Sequence, residues 1–287
     1  GFELAVQFLE REIMQSSLRI AFIGGGNMAS AMISGLVKQV ASPAQIYVID
    51  VNAENLQNLS DRYRVSTSSV MDARLLEMDV IVLAVKPQQL HAVAASLRVF
   101  VKTQLILSVA AGIRAADLSR WLGGHSKIVR AMPNTPAMIG LGMTGLYAMD
   151  AVISEERKLA ETMMQAVGDC LWVDNESMID AVTAVSGSGP AYVFYFIEAM
   201  QEAAMQLGFD ASQARQLALS TFNGAAQLAK QSEEPVSSLR ERVTSKGGTT
   251  YAALCSMDDS AVKAAIHQAV QAAALRGKEL GDEFGRH

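Results

Sequence analysis

The sequence predicts an α/β fold with a doubly wound, mostly parallel sheet, followed by an all-helical second domain. Short apolar runs alternate with helix-like segments through about residue 175. The central runs are apolar on both faces, as expected of strands covered by helices on both sides. Beyond that point, long segments rich in Ala, Met and Gln favour helices. We therefore predict an N-terminal extension over residues 1–17, an α/β domain over 18–176 and a helical domain over 177–287.

The first strand, over residues 18–23, ends in a glycine-rich turn that leads directly into a helix-like segment over 29–37. The turn fits the pattern G-x-G-x-x-A, in which Gly24 allows a tight turn and Gly26 lets a pyrophosphate approach the backbone. The helix then directs free amides and its positive dipole end at the phosphates. An ordinary strand-to-helix turn is the alternative. The predicted dinucleotide contacts here are Ile23, Gly24, Gly25, Gly26, Asn27 and Met28.

The second strand, over residues 46–50, ends in Asp50. An acid at this place can accept hydrogen bonds from the adenosine ribose 2′-hydroxyl and would repel a 2′-phosphate. No Arg or Lys follows until Arg62. We therefore predict Asp50 as a cofactor contact and expect NADH to be used well.

Further strands are predicted at 80–85, 105–110, 127–132, 143–148 and 170–173, with helices at 54–63 and 87–97. Ligands of open α/β sheets bind at the carboxyl ends of the strands. One of these ends carries Lys86, which suits cofactor contact, although such a lysine in isolation is more often a solvated surface residue. The other consists of small residues that let a flat ring lie against the backbone. The predicted contacts are Ala84, Val85, Lys86 and Pro87, and then Val109, Ala110, Ala111 and Gly112.

The helical domain has predicted helices at 192–207, 211–230 and 261–280, apolar around much of their circumference. A homo-oligomer that packs helices between subunits would bury these faces. Two glycine-rich stretches, 186–190 and 243–250, interrupt the helices. Both fit simple inter-helix turns. The second also offers amides and hydroxyls at a helix start, which suit a substrate carboxylate; its predicted contacts are Ser245, Gly247, Gly248, Thr249 and Thr250.

The composition and charge of the chain argue against several classes of binding partner. The chain has 287 residues and a net charge of −5, with no basic run, which argues against nucleic acid and acidic membrane surfaces. No apolar run reaches the length of a membrane span. Two separated cysteines fit a reducing cytoplasm, and four scattered histidines show no metal-ligand spacing. Residues 1–17 lack the features of a signal peptide, and Met14 is a possible natural start.

Six motifs together resemble the pyrroline-5-carboxylate reductase family over residues 18–284. They are FIGGGNMA, LAVKP, SVAAG, RAMPNTPA, VSGSGPAY and LRERVTSKGGTT. The resemblance implies an N-terminal Rossmann domain and a helical dimerisation domain, homodimers that often assemble into decamers, and an active site where two subunits meet. It also implies reduction of 1-pyrroline-5-carboxylate to L-proline by hydride transfer from NADPH or NADH.

The same resemblance assigns individual roles. Residues 23–28, 84–87 and 109–112 are implied to bind the nicotinamide cofactor, and the residues named above in 245–250 to bind the substrate. Thr250 matches the hydroxyl residue near the ring nitrogen and is our choice for the catalytic residue. Glu233 matches a recurrent acid whose role the sequence leaves unassigned. No metal is implied.

Two other functions stay open from the residues alone. A reductase of the β-hydroxyacid dehydrogenase type would carry a catalytic lysine in its helical domain, where Lys246 lies in the glycine loop. A non-catalytic, cofactor-binding scaffold would be expected to have degenerate substrate loops, whereas both loops here are intact.

Overall fold

A computed structural model describes residues 2–287. Gly1 lies outside the described residues, and so do the side chains of Phe2 and of residues 10–16, so the proposed start at Met14 is described in its backbone only. Residues Phe2–Ser17 form the first helix, α1. This helix occupies the predicted N-terminal extension and precedes the first strand.

The described residues form a sheet of eight strands in the order β3-β2-β1-β4-β5-β6-β7-β8. All neighbouring strands pair in parallel except β6 and β7, which are antiparallel. The chain leaves β1 towards one edge and returns at β4 towards the other, so a topological switch point lies between β1 and β4. The strands are β1 Ile20–Ile23, β2 Ile46–Ile49, β3 Ser66–Ser68, β4 Val80–Leu83, β5 Leu105–Ser108, β6 Ile128–Met132, β7 Gly142–Ala148 and β8 Gly168–Trp172.

The central strands are buried on both faces because alternate side chains enter two separate apolar cores. Phe22, Val48 and Val82 belong to one core, and their neighbours Ala21 and Ile81 belong to the other. Since side chains alternate across a strand, a continuous apolar run is what two helix-covered faces require. The expectation of a helix-covered, mostly parallel sheet is confirmed.

Helices cover the sheet and then make up most of the second half of the chain. The chain divides into two compact units, the described residues up to Ser188 together with Ala273–His287, and Gly189–Ala272. The remaining helices are α2 Asn27–Gln39, α3 Ala53–Tyr63, α4 Pro87–Leu97, α5 Ala115–Trp121, α6 Ser154–Gln165, α7 Ser177–Val182, α8 Gly189–Gln206, α9 Ala211–Gln231, α10 Val236–Arg242, α11 Thr249–Asp259 and α12 Val262–Phe284.

Some features are not evident in the sequence. The short strand β3 consists of Ser66, Thr67 and Ser68, and it pairs with β2 although its residues are small and polar. A π-helical turn, Thr183–Gly187, follows α7 at the first glycine-rich interruption of the helical region. In the part of the chain that is described, we find no helix with the length and apolar character needed to cross a membrane.

Candidate active site

The glycine turn after β1 brings three strands together at the carboxyl edge of the sheet. The Gly24 amide donates a hydrogen bond of 2.8 Å to the Ile49 carbonyl, and Gly24 has a φ of +101°. A Cβ at this position would lie 2.6 Å from the Ala84 carbonyl oxygen. Glycine is therefore required at Gly24 both for its backbone conformation and for the close approach of β4.

Gly26 is the N-cap residue of α2. It offers no side-chain acceptor to the first amides of this helix, and a Cβ at Gly26 would have no neighbour within 4 Å. The space beside Gly26 is therefore open, and the N-cap residue does not occupy the amides at the positive end of the helix. These residues fit a dinucleotide, whose pyrophosphate needs free amides and close access to the backbone.

Asp50 follows β2 and is half-buried against the glycine turn. Its Oδ2 accepts from the Gly25 amide at 2.8 Å and from Asn55 Nδ2 at 3.2 Å, and its Oδ1 accepts from the Asn52 amide at 2.9 Å. The carboxylate thus braces the turn, an additional role that the sequence did not indicate. Three donors also offset part of its negative charge, which weakens the repulsion that we expected it to exert on a 2′-phosphate.

The other two predicted cofactor segments lie at the same edge of the sheet. The Ala84 amide donates to Ile23 O at 2.8 Å, and the Val109 amide donates to Leu83 O at 3.0 Å. Lys86 is exposed at the N-cap position of α4, with Pro87 as the first residue of that helix. Gly112 has a φ of +74°. The structure therefore places the predicted cofactor residues of β1, β4 and β5 side by side.

Asn134, in the Met-Pro-Asn-Thr-Pro loop, joins two motifs that are far apart in sequence. Its Nδ2 donates to the Ser186 carbonyl at 3.0 Å, and its Oδ1 accepts from the Met143 amide at 2.9 Å. Asn134 thus fixes the first glycine-rich stretch, which forms the π-helical turn, to the strand β7. Such π-turns occur often at functional sites.

The second glycine-rich stretch, at the start of α11, lies in the unit Gly189–Ala272. Gly248 is the N-cap residue of α11 and provides no side-chain cap, and the Gly248 amide donates to Ser245 O at 3.0 Å. Gly247 has a φ of +75°. The amides of the first turn, with the hydroxyls of Thr249 and Thr250 in it, form an arrangement that suits a carboxylate.

An acidic residue, Glu234, precedes this loop in sequence and forms an ion pair with Arg242, the last residue before the loop. Glu234 forms an ion pair with Arg242, directly before Val243, and its amide donates to Ser232 Oγ at 3.1 Å. Within residues 2–287, Glu234 Oε2 is a buried oxygen that lacks a hydrogen-bond partner. Glu233 is exposed. The sequence singled out Glu233, whereas the ion pair with Arg242 is made by its neighbour Glu234.

No strong acid or base is needed to explain these sites, and no metal centre is evident. Among the side chains that the structure describes, no group of three or more His, Cys, Asp or Glu residues is placed to hold a metal ion. Apart from Asp50, Lys86 and Lys246, both sites consist mainly of backbone amides, small or apolar residues and hydroxyls. This arrangement suits binding and orientation of anionic molecules.

Comparison with known proteins identifies the family. A family model for pyrroline-5-carboxylate reductase dimerisation matches residues 176–280, and one described as NADP oxidoreductase, coenzyme F420-dependent, matches residues 19–112. The chain is 44% identical to a pyrroline-5-carboxylate reductase of Pseudomonas aeruginosa, over 94% of this chain and 100% of that protein. The chain belongs to the pyrroline-5-carboxylate reductase family. The relative from Haemophilus influenzae is 42% identical, with the same coverage of both chains.

Solved structures of pyrroline-5-carboxylate reductases share the fold. The one from Coxiella burnetii has a TM-score of 0.87 and 40% identity, over 92% of this chain and 99% of that one. The one from Plasmodium falciparum, with NADP bound, has a TM-score of 0.83 and 27% identity, over 93% and 99%. The predicted family, the oxidoreductase class and the fold class of a Rossmann domain followed by a helical dimerisation domain are confirmed.

The two glycines of the turn should respond differently to substitution. Gly26→Ala should leave the thermal unfolding temperature unchanged but weaken binding of NADP⁺ by about tenfold, because the new methyl group occupies space that the ligand needs. Gly24→Ala should also lower the free energy of unfolding by about 1–3 kcal/mol, because of its clash with Ala84 and its positive φ. Calorimetric titration and thermal denaturation measure both effects. Equal loss of stability in the two variants would contradict this assignment.

Proposed function

We propose that this protein catalyses the reduction of 1-pyrroline-5-carboxylate to L-proline, the last step of L-proline biosynthesis. One observation carries the proposal: over 94% of its length and the full length of each relative, the chain is 42–44% identical to two proteins named pyrroline-5-carboxylate reductase. The glycine turn at Gly24 and the loop before Thr249 support it, since each leads into a helix whose glycine N-cap offers no side-chain acceptor to the first amides.

The cofactor in this proposal is NADPH or NADH. It is bound by Asp50 and by residues 23–28, 84–87 and 109–112. When bound, the reduced nicotinamide supplies the hydride that reduces the C=N carbon. The NADP oxidoreductase family model and the NADP-bound relative support NADPH. The three hydrogen bonds to Asp50 make a 2′-phosphate tolerable, and a free ribose hydroxyl still suits this carboxylate.

The substrate carboxylate is bound, in this proposal, by Ser245, Gly247, Gly248 and Thr249 at the start of α11. The positive end of the helix dipole and the free amides favour an anion there. Thr250, in the same helical turn, orients the ring nitrogen and relays its proton. A protonated imine is already electrophilic, so orientation is the main demand on the protein.

A spectrophotometric assay tests this function. Oxidation of NADPH and of NADH should require 1-pyrroline-5-carboxylate, and both cofactors should support turnover. A parallel assay with β-hydroxyacids and NADP⁺ should show no reduction of the cofactor. Turnover in the second assay alone would favour the β-hydroxyacid dehydrogenase function, in which Lys246 becomes the residue of interest. Cofactor binding without turnover in either assay would favour a scaffold.

Substitution of Thr250 tests the catalytic assignment. Thr250→Ala should lower kcat by about a hundredfold, because a positioned proton donor is lost, while cofactor affinity stays the same. Thr250→Ser keeps the hydroxyl and should retain most of the activity. Unchanged kcat of the alanine variant at saturating substrate would remove Thr250 from the mechanism.

The helical region carries the proposed homodimer. The match of residues 176–280 to the family's dimerisation model supports this homodimer. So do the large apolar side chains that α8 leaves exposed, of which Phe194 is 64% and Tyr195 is 75% exposed. Assembly of dimers into decamers and a cytoplasmic location, which the resemblance and the cysteine usage respectively suggest, belong to the same proposal.

A charged residue on α8 should disrupt the dimer. We expect the wild-type protein to sediment as a dimer or a larger oligomer, and Phe194→Asp to shift it towards monomers, because a carboxylate is costly to bury in an apolar interface. Val99→Asp, at a site that is 66% exposed in the other unit, is the matched control and should leave the assembly intact. Sedimentation velocity distinguishes these results, and a monomeric wild-type protein would refute the proposal.

A further inference from the structure

Arg130 is the residue that the mechanism leaves unexplained. It lies on β6 and is 3% exposed, which makes it the one buried arginine, lysine, aspartate or glutamate among the described residues with known burial. It pairs in register with Ser108 on β5 and with Tyr147 on β7, close to the carboxyl end of β5. An ionised group is buried at such a place only when a partner compensates for the loss of water.

The partner of Arg130 is Glu176, which directly precedes α7. Glu176 Oε2 accepts from Arg130 Nη1 at 3.2 Å and from the backbone amide of Ala115 at 2.8 Å. The Glu176 side chain is 20% exposed. Burial lowers the pKa of Arg130, and the neighbouring Glu176 carboxylate opposes that shift. The ion pair therefore holds Glu176 in a fixed position from which it bonds to Ala115.

Ala115 begins α5, and the segment Val109–Arg114 immediately before it includes one of the proposed cofactor-binding stretches. No side chain of the N-cap residue, Arg114, caps this helix. Glu176, 61 residues later in the chain, supplies the missing acceptor. A carboxylate at a helix start bonds a free amide and interacts favourably with the helix dipole.

The segment is held at other points as well. At its start, the Ala110 amide lies 3.4 Å from Ser108 Oγ. Near its end, Arg114 Nη1 donates to Asp282 at 2.7 Å, and a Cβ at Gly112 would lie 3.4 Å from the Phe284 ring. Among these contacts, the hydrogen bond from the Ala115 amide to Glu176 attaches the segment to a buried, charged pair. Loss of this hydrogen bond should therefore loosen the backbone around Gly112.

We propose that Glu176, held by Arg130, is a positioning residue that fixes the loop Val109–Ala115 for binding of the nicotinamide cofactor. The inference rests on the proposed function, because that function assigns cofactor binding to residues 109–112. Glu176 acts through the Ala115 amide and not through contact with the reacting atoms. An ion pair that serves stability alone would require no bond from Glu176 to that amide.

Four variants of the 287-residue protein distinguish a role of Glu176 in positioning the loop from a role in stability alone. Glu176→Gln keeps an oxygen for the Ala115 amide, whereas Glu176→Ala removes it. Arg130→Met/Glu176→Ala removes the buried charge as well, so that loss of stability no longer accompanies loss of the bond to Ala115. Glu77→Ala is the matched control, because Glu77 forms an exposed ion pair with Arg19 at 3.5 Å.

Calorimetric titration with NADP⁺, steady-state kinetics and hydrogen exchange of residues 109–115 provide the readouts. We expect Glu176→Ala and the double variant to weaken NADP⁺ binding and raise the KM for NADPH by about three- to tenfold, with kcat unchanged and exchange faster. Glu176→Gln and Glu77→Ala should bind like the wild type.

Wild-type affinity and exchange in the double variant would overturn the proposal and leave the pair a purely structural role. Weak binding by Glu176→Gln equal to that of Glu176→Ala would also overturn it, because the acceptor for Ala115 is retained in the former. If the wild-type protein itself failed to bind NADP⁺, the proposed function would fall instead. Exchange of residues 109–115 would then still decide whether Glu176 braces the loop.

Discussion

The close approach of the glycine turn to strand β4 is the constraint on which the cofactor site depends. At Gly24, backbone meets backbone, because even a methyl group would lie 2.6 Å from the Ala84 carbonyl oxygen. This contact keeps the ends of β1 and β4 together where the strand order reverses. The amides of α2 and the loops after β4 and β5 consequently converge at one edge of the sheet. Any residue larger than glycine at position 24 would prevent this approach.

The two proposed anion sites, one in each unit, use the same physical device. At Gly26 and at Gly248, a glycine caps a helix and offers no side-chain acceptor to its first amides. Amides without a partner are costly when buried, so a site that leaves them uncapped is ready for a negatively charged ligand. In this proposal the helix backbone binds the anion, so mobile charged side chains are not essential.

The sequence indicated candidate members of the cofactor site, but it did not indicate the contacts that hold them in place. Gly24, Gly26 and the strand ends were evident, because glycine spacing and apolar runs are local signals. The additional contacts of Asp50 with Gly25 and Asn55, and of Asn134 with Ser186, were missed. They join side chains to backbone groups whose positions depend on the packed sheet. Strand β3 was missed because its residues, Ser66, Thr67 and Ser68, lack the apolar pattern of a buried strand.

The sequence by itself determined the alternation of apolar strands with helices, the helical second half, the glycine turn and the family, because each depends on residue type and spacing along the chain. The tertiary structure alone decided that β7 runs antiparallel to β6, that Asp50 braces the turn after β1, and that Arg130 and Glu176 meet beside Ala115. Residues 115 and 176 are 61 positions apart in the chain. No local pattern encodes such a distance, since only packing of the whole sheet with its helices brings a carboxylate to an amide so remote from it. The glycine turn therefore predicts where a dinucleotide binds, and the fold shows how that part of the chain is held in shape.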